Sequence, residues 1–467
     1  MILWLTLIAC AVVPLAWWGR RLAQDPLAYF AASRGAGPFL AGMAGTAAGL
    51  SAFVFIGGPG LFASIGVASL WLILSAPLTG ALQCLAVGEP IVDLTRKHHC
   101  ITIPDILAAR FGEGWPRGLA ALVICIGGIT TLGVQIKGST LLGQAFLDVP
   151  GWMVATVAVA VTTIYTSAGG MRIGLHAEAA QGVIMAVAAL VLTASVLMAV
   201  GGPAQAAEII QRVRPEFLQA LPPGRGSHYL SLFLLFALGT CAQPHYLQKF
   251  LMLKDRRSLR WLPAVSTAAL LSVLTVWIGL GLGGTALWLG GEINPPFPDL
   301  LTPTLLSKFA GPVLLPIATV AVLAAIMSTA ASLLNMVAAA VTRDLPLAFG
   351  RKPFPTLGPA RAATIGAAAC AGLIAIQAKH TVALLGILGW SMFTAGLLPV
   401  IVLGLRWPSA SRKGAIIALI AGPLVQIALE ISNIATHSRG RWEPGLTGAA
   451  VGGILLVLFS RKNGRSA

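Results

Sequence analysis

Charge is what this 467-residue sequence has least of. Asp, Glu, Lys and Arg together make up 10% of it, against about one quarter in an ordinary soluble chain. Acidic residues are the scarcer half, 15 against 31 Lys and Arg. With 57% hydrophobic residues and a mean hydropathy of +0.86, the chain lacks the polar surface that a water-soluble fold requires. Cysteines are few and scattered (Cys10, Cys84, Cys100, Cys125, Cys241, Cys370), and no paired spacing suggests a disulfide framework or a metal centre. Long polar segments are missing too. The longest outer loop, about Gly201 to Ser227, and the inner link 89 to 116 have room for a short amphipathic helix but not for a catalytic domain. Neither offers a nucleophile with its base or a phosphate-cradling loop, so no enzyme is expected. The one histidine pair, His98-His99, sits in a basic loop and reads as solvated.

What the chain does have is apolar runs. A membrane-spanning helix needs roughly 20 mainly apolar residues, and thirteen such segments are centred near residues 10, 48, 76, 128, 160, 188, 238, 275, 325, 368, 393, 422 and 452. The first lacks a basic residue before its apolar core and is followed by Arg20-Arg21, so it reads as a retained helix rather than a signal peptide. If its N-terminus is outside and the spans alternate, 23 of the 31 basic residues, Arg117, Lys249 and Arg343 among them, fall on the cytoplasmic side. That bias predicts a multi-pass protein of the cell (inner) membrane with a cytoplasmic C-terminus. It also accounts for the net charge of +16 without a nucleic-acid partner. The expected macromolecular surroundings are membrane lipids, whose anionic headgroups would meet the basic loops.

Two spans are interrupted at mid-membrane, the second by "GTAAGLSAFVFIGGPG" (45 to 60) and the seventh by "LGTCAQPHYLQKF" (238 to 250). A helix broken there frees carbonyls and amides that can hold a cation or an anionic solute. The two lie five spans apart, the spacing of an inverted repeat of five helices each. A secondary transporter is the class this pattern suggests.

The segments "SAGGMRIGLHAEAAQ" (167 to 181), "AQPHYLQKFLMLKD" (242 to 255) and "LAAIMSTAASLLNMVAAAVTRDL" (323 to 345) resemble three signatures of the sodium/solute symporter family, and "AAGLSAFVFIGGPG" resembles its first core helix. The resemblance implies an all-α integral membrane protein of the LeuT type. Residues 1–37 would be an extra N-terminal helix and loop, 38–200 the first five-helix repeat, 201–227 an outer loop, 228–404 the second, inverted repeat, and 405–467 two further helices and a tail. It also implies Na+ as coupling ion, held by the carbonyls of Ala47, Leu50 and Ala325 and the hydroxyls of Ser328 and Thr329. Hard oxygen ligands suit such a cation. Taken alone, the hydroxyl pair would instead hydrogen-bond to carbonyls one turn earlier.

The chain also departs from the family. Ala331 stands where many members carry an acidic residue, and Gly49 where some carry an aspartate, so the ion site would contain no carboxylate. Glu178 replaces an aspartate near the cytoplasmic ion exit, where it is either a stepping stone for the ion or an interface residue. Val54 and Gln243 stand where the sugar branch has glutamine and asparagine, and "QPH" resembles the proline, pantothenate and monocarboxylate branches. A small solute bearing a carboxylate is therefore expected over a sugar, with Ser51, Phe53, Gln243, Trp390 and Ser391 as candidate contacts. Lys137, deep in the fourth span, either snorkels to the headgroups or lines the solute cavity. Sodium-coupled alternating access is the expected mechanism. The alternatives are a proton-coupled carrier in which Lys137 or Glu178 titrates, and a transport-inactive sensor, against which the lack of an output domain after the last span would count.

Overall fold

The computed structural model describes residues 35–146, 149–354, 356–378, 381–436 and 442–461, without the side chains of 162, 165, 167–173 and 461. The predicted span near residue 10 therefore lies outside the described residues, and at the start of the 167–181 signature only the backbone is described. The described chain is helical, and nine of its helical stretches are long and apolar enough to cross a membrane, with Pro444–Ser460 a shorter apolar helix beside them.

The first interrupted span is α1 (Pro38–Gly49), a non-helical step at Leu50 and Ser51, a π-helical turn at Phe53–Gly57 and α2 (Gly58–Ile65). Leu50 is extended, with φ −87° and ψ 108°. Gly49 permits the close approach at this break, because a Cβ there would lie 1.7 Å from the Tyr246 hydroxyl. The following span is irregular up to α3 (Glu89–His98), and α4 (Ile103–Phe111) lies in the inner link. His98 and His99 are exposed at the end of α3, where His99 takes the left-handed conformation. Two long helices follow, α5 (Trp115–Phe146) and α6 (Gly151–Ala199).

Helix α6 corrects the sequence reading. The spans predicted near residues 160 and 188 form one continuous helix of 49 residues, about 73 Å at 1.5 Å per residue. Gly169 and Gly170 weaken a helix but, unlike proline, leave its hydrogen bonds intact, and no proline lies between Gly151 and Ala199.

The second interrupted span is α7 (Gly226–Gly239), a short 3-10 turn and α8 (Pro244–Leu251). Gln243 between them is extended, and Pro244 occupies the first turn of α8, where no backbone donor is needed. Helices α9 (Leu262–Val276), α10 (Gly311–Ala339), α11 (Leu357–Gln377), α12 (Val382–Leu398), α13 (Arg412–Thr436) and α14 (Pro444–Arg461) complete the bundle.

Two apolar cores stack end to end. One includes Met43, Ala44, Cys241, Leu247, Ala330 and Leu333. The other includes Ala47, Leu50, Phe55, Phe236, Ala325 and Ile326. The boundary crosses α10 at Ser328 and Thr329 and runs beside both helix breaks, so the polar groups at the breaks lie where the two cores meet.

Burial of charge corrects a second reading. Arg117 and Lys249, counted with the cytoplasmic-loop cations, are 5% and 2% exposed. Each is retained inside by carboxylate partners, as buried charge requires. Arg117 pairs with Asp105, with Glu113 at 2.7 Å and with Asp344 at 3.3 Å. Arg343 joins the same network through Asp105 at 3.0 Å and Asp344 at 2.6 Å. Asp105 also closes a capping box with Thr102 at the start of α4.

Candidate solute and ion site

Ser328 and Thr329 face the break in the first interrupted span. The Ser328 hydroxyl lies 2.8 Å from the Ala47 carbonyl oxygen and 2.9 Å from that of Ala325. The Thr329 hydroxyl lies 3.2 Å from the Ala325 carbonyl oxygen and 3.5 Å from that of Leu50. The hydroxyls thus bond back one turn and also reach across to α1. All five residues are nearly inaccessible. Five neutral oxygens converge, three from carbonyls whose dipoles point inward, and no carboxylate is within the group.

Beside this group, a run of aromatic rings lines the step between the two breaks. Phe53 stacks on Phe236 at 5.6 Å, Phe236 on Trp390 at 4.8 Å, and Trp390 meets Tyr246 edge-on at 6.2 Å. The Trp390 indole donates to the Leu235 carbonyl. Gln243 donates its amide to the Gly239 carbonyl at 3.1 Å, while its buried Oε1 has no protein donor. The Ser51 hydroxyl accepts from the Phe53 amide at 3.1 Å. Ser51, Phe53, Gln243 and Trp390 are thereby brought together.

Ser391 and Lys137 are not part of this group. Ser391 packs against Gly445 of α14, where an added Cβ would lie 2.5 Å from the serine Cβ. The Lys137 ammonium donates to the Ala378 carbonyl at the end of α11. A cation at a helix C-terminus suits the helix dipole, and this position differs from both the headgroup and the cavity expectations. Asp299 lies within electrostatic reach of Lys137. Burial raises the Asp299 carboxyl above its ordinary range, against the opposing pull of the Val382 amide and of Lys137.

Glu178 is sealed in. Its carboxylate accepts from Lys249 at 2.5 Å and from the Ser332 hydroxyl at 2.5 Å.

The sequence reading passed over three residues that organise the breaks. Gln135 of α5 accepts the orphaned Ala52 amide at 3.0 Å. Gln83 donates to the Thr240 carbonyl at 3.1 Å and to its hydroxyl at 2.9 Å, tying its own irregular span to the second break. Tyr246 places its ring against Gly49. The available signal was a glutamine deep in an apolar run, since polar groups at membrane depth have partners or functions. Gln135→Leu should leave the Ala52 amide unsatisfied and cost about 1 to 3 kcal/mol. The expected result is a lower midpoint of thermal unfolding in detergent, and an unchanged midpoint would show that the amide finds another acceptor.

A bundle with two broken helices facing each other, polar groups gathered at the breaks and a closed apolar exterior defines a membrane carrier. The sodium:solute symporter family model matches residues 29–422, and the chain belongs to that family. It is a transporter and not an enzyme, and the family's coupling ion is Na+. It is 26% identical to the osmoregulated proline transporter of Bacillus subtilis, over 98% of this chain and 94% of that one. It is 29% identical to the sodium/pantothenate symporter of Escherichia coli, over 87% and 85%. Among solved structures, a Na+-coupled sialic acid symporter in its substrate-bound outward-open state superposes with a TM-score of 0.82 at 15% identity, covering 97% of this chain and 95% of that one. This last likeness shows the shared LeuT-type fold.

Proposed function

We propose that this protein carries a small, carboxylate-bearing organic solute together with Na+ by alternating access. The observation that supports it most is the convergence of Ala47, Leu50, Ala325, Ser328 and Thr329 across the first helix break. Na+ would replace the hydroxyl-to-carbonyl hydrogen bonds with metal–oxygen contacts, joining α1 to α10. Because α1 ends at the same break that presents Ser51 and Phe53, the ion orders one wall of the solute cavity. Coupling between two ligands of this kind is reciprocal.

The solute would lie among Ser51, Phe53, Gln243 and Trp390, with Lys137 and Ser391 in outlying positions. The free Gln243 Oε1 can accept from an amine or hydroxyl of the solute. The start of α8 at Pro244 directs the positive end of a helix dipole at the break, which favours a carboxylate. The proline and pantothenate carried by the relatives named above share that group. The two inverted repeats would be bounded as 38–200 and 228–404, with α6 as the last helix of the first.

Thermal unfolding of the purified protein against a panel of amino acids, monocarboxylates, pantothenate and sugars, in sodium and in choline, tests this reading. A ligand that binds the folded state raises its apparent stability. We expect a carboxylate-bearing solute to raise the midpoint in sodium only. A sugar doing so would overturn the solute class, and a solute acting equally in choline would overturn sodium coupling.

A further inference from the structure

Glu178, Lys249 and Ser332 form a closed cluster outside the residues assigned above to solute and ion. The Lys249 ammonium lies 2.5 Å from Glu178 Oε2 and 3.2 Å from Ser332 Oγ, and Ser332 Oγ donates to Glu178 Oε1 at 2.5 Å. The three residues are 3%, 2% and 0% exposed. Ser332 lies one helical turn along α10 from Ser328, so the cluster sits about 6 Å from Ser328 and about 4.5 Å from Thr329 along the helix axis. A dry carboxylate beside a hydroxyl is an oxygen set that a hard cation would take. It holds the carboxylate that the five-oxygen group lacks. Here the cation already present is an ammonium on a tether. Its stem passes Gly45 of α1, where an added Cβ would be 3.6 Å from Lys249 Cγ. A small cavity lined by Thr46, Gln83, Tyr246 and Lys249 adjoins it, and the Thr46 hydroxyl there has no protein partner.

We propose that Lys249 is a built-in cation that fills a second alkali-ion position at Glu178 and Ser332, and so limits the carrier to one bound Na+. The inference rests on the sodium-symport reading above. It assigns Glu178 a fixed counter-charge in place of a stepping stone for the ion. Removing the ammonium leaves a buried carboxylate uncompensated, and a sodium ion is small enough to take its place.

The test is equilibrium binding of radioactive 22Na+ to the purified protein, without solute, together with thermal unfolding in sodium and in choline chloride. Lys249→Met should bind one more Na+ per chain than wild type, and Lys249→Met/Glu178→Gln should lose that extra ion. In choline Lys249→Met should unfold earlier than wild type, and sodium should recover most of the difference. The double variant, with no buried charge, should show no such recovery and serves as the packing control. Equal sodium binding by Lys249→Met and wild type, or a Lys249→Met protein equally unstable or unfolded in both salts, would overturn the proposal. Wild type binding no Na+ would instead count against the five-oxygen site, because the extra ion is read as an increment over wild type.

Discussion

Replacing Ser328 and Thr329 together by alanine is expected to raise the sodium concentration for half-maximal uptake by about a hundredfold. Each hydroxyl supplies one of five oxygens at the break, and a buried polar contact of this kind is worth about 1 to 3 kcal/mol. Each 1.4 kcal/mol is a factor of ten. Both residues are buried in an apolar helix that continues ten residues past Thr329, to Ala339, so alanine keeps the helix and removes only the oxygens. The single variants should each shift the midpoint about tenfold, with maximal uptake at saturating sodium closer to wild type. The measurement is initial solute uptake over a sodium series. An unchanged sodium dependence in both single variants would place the ion elsewhere.

The second large effect is on stability. Arg117 holds Asp105 and Asp344 together, and Asp344 is 1% exposed. Removing one partner of a buried ion pair costs about 3 to 5 kcal/mol, a large share of the 5 to 15 kcal/mol that holds a typical folded protein. Arg117→Met should therefore fold poorly or unfold well below wild type, whereas replacing the exposed Arg212, which pairs with Glu208 at the surface, by Met should be nearly neutral.

A pH dependence accompanies the network. Burial works to raise the Asp105 carboxyl, but Arg343, Arg117 and the Ile101 amide outweigh it and hold it below the ordinary range. Its folded value being the lower one, its contribution is complete above the ordinary value of about 3.9. It is lost as pH falls through the lower folded value. Asp105→Asn should accordingly unfold earlier at neutral pH and show a shallower acid limb than wild type. The network ties α4 and the start of α5 to the π-helical turn Ala340–Asp344, which continues α10, the helix that carries Ser328 and Thr329. Its rupture should also weaken the ion site indirectly.

Much of the candidate site was legible because its signals are local. Two adjacent hydroxyls in a 30-residue apolar run, and a break at "AGLSA" or "CAQPH", stand out against the membrane around them. The family resemblance supplied their relation to each other. What stayed hidden depends on contacts between distant residues. The Glu178–Lys249 pair spans 71 positions, Gln135 and Ala52 are 83 apart, and Lys137 meets Ala378 across 241. No periodicity records which faces of two helices meet, so Lys249 read as a loop cation and Lys137 as a choice between headgroups and cavity. The continuity of α6 was missed for another reason. A glycine pair between two apolar stretches has the composition of a loop, and only the backbone hydrogen bonds decide that it is helical.

Solute uptake into proteoliposomes tests the central claim most directly. Purified protein would be reconstituted and offered L-proline, pantothenate and simple monocarboxylates, with an inward sodium gradient, an inward proton gradient, or neither. The account predicts that at least one carboxylate-bearing solute accumulates above its external concentration with the sodium gradient alone, and that the Ser328→Ala/Thr329→Ala protein fails to do so at the same sodium concentration. Accumulation driven by protons in the absence of sodium, or equal uptake by wild type and the double variant, would contradict it.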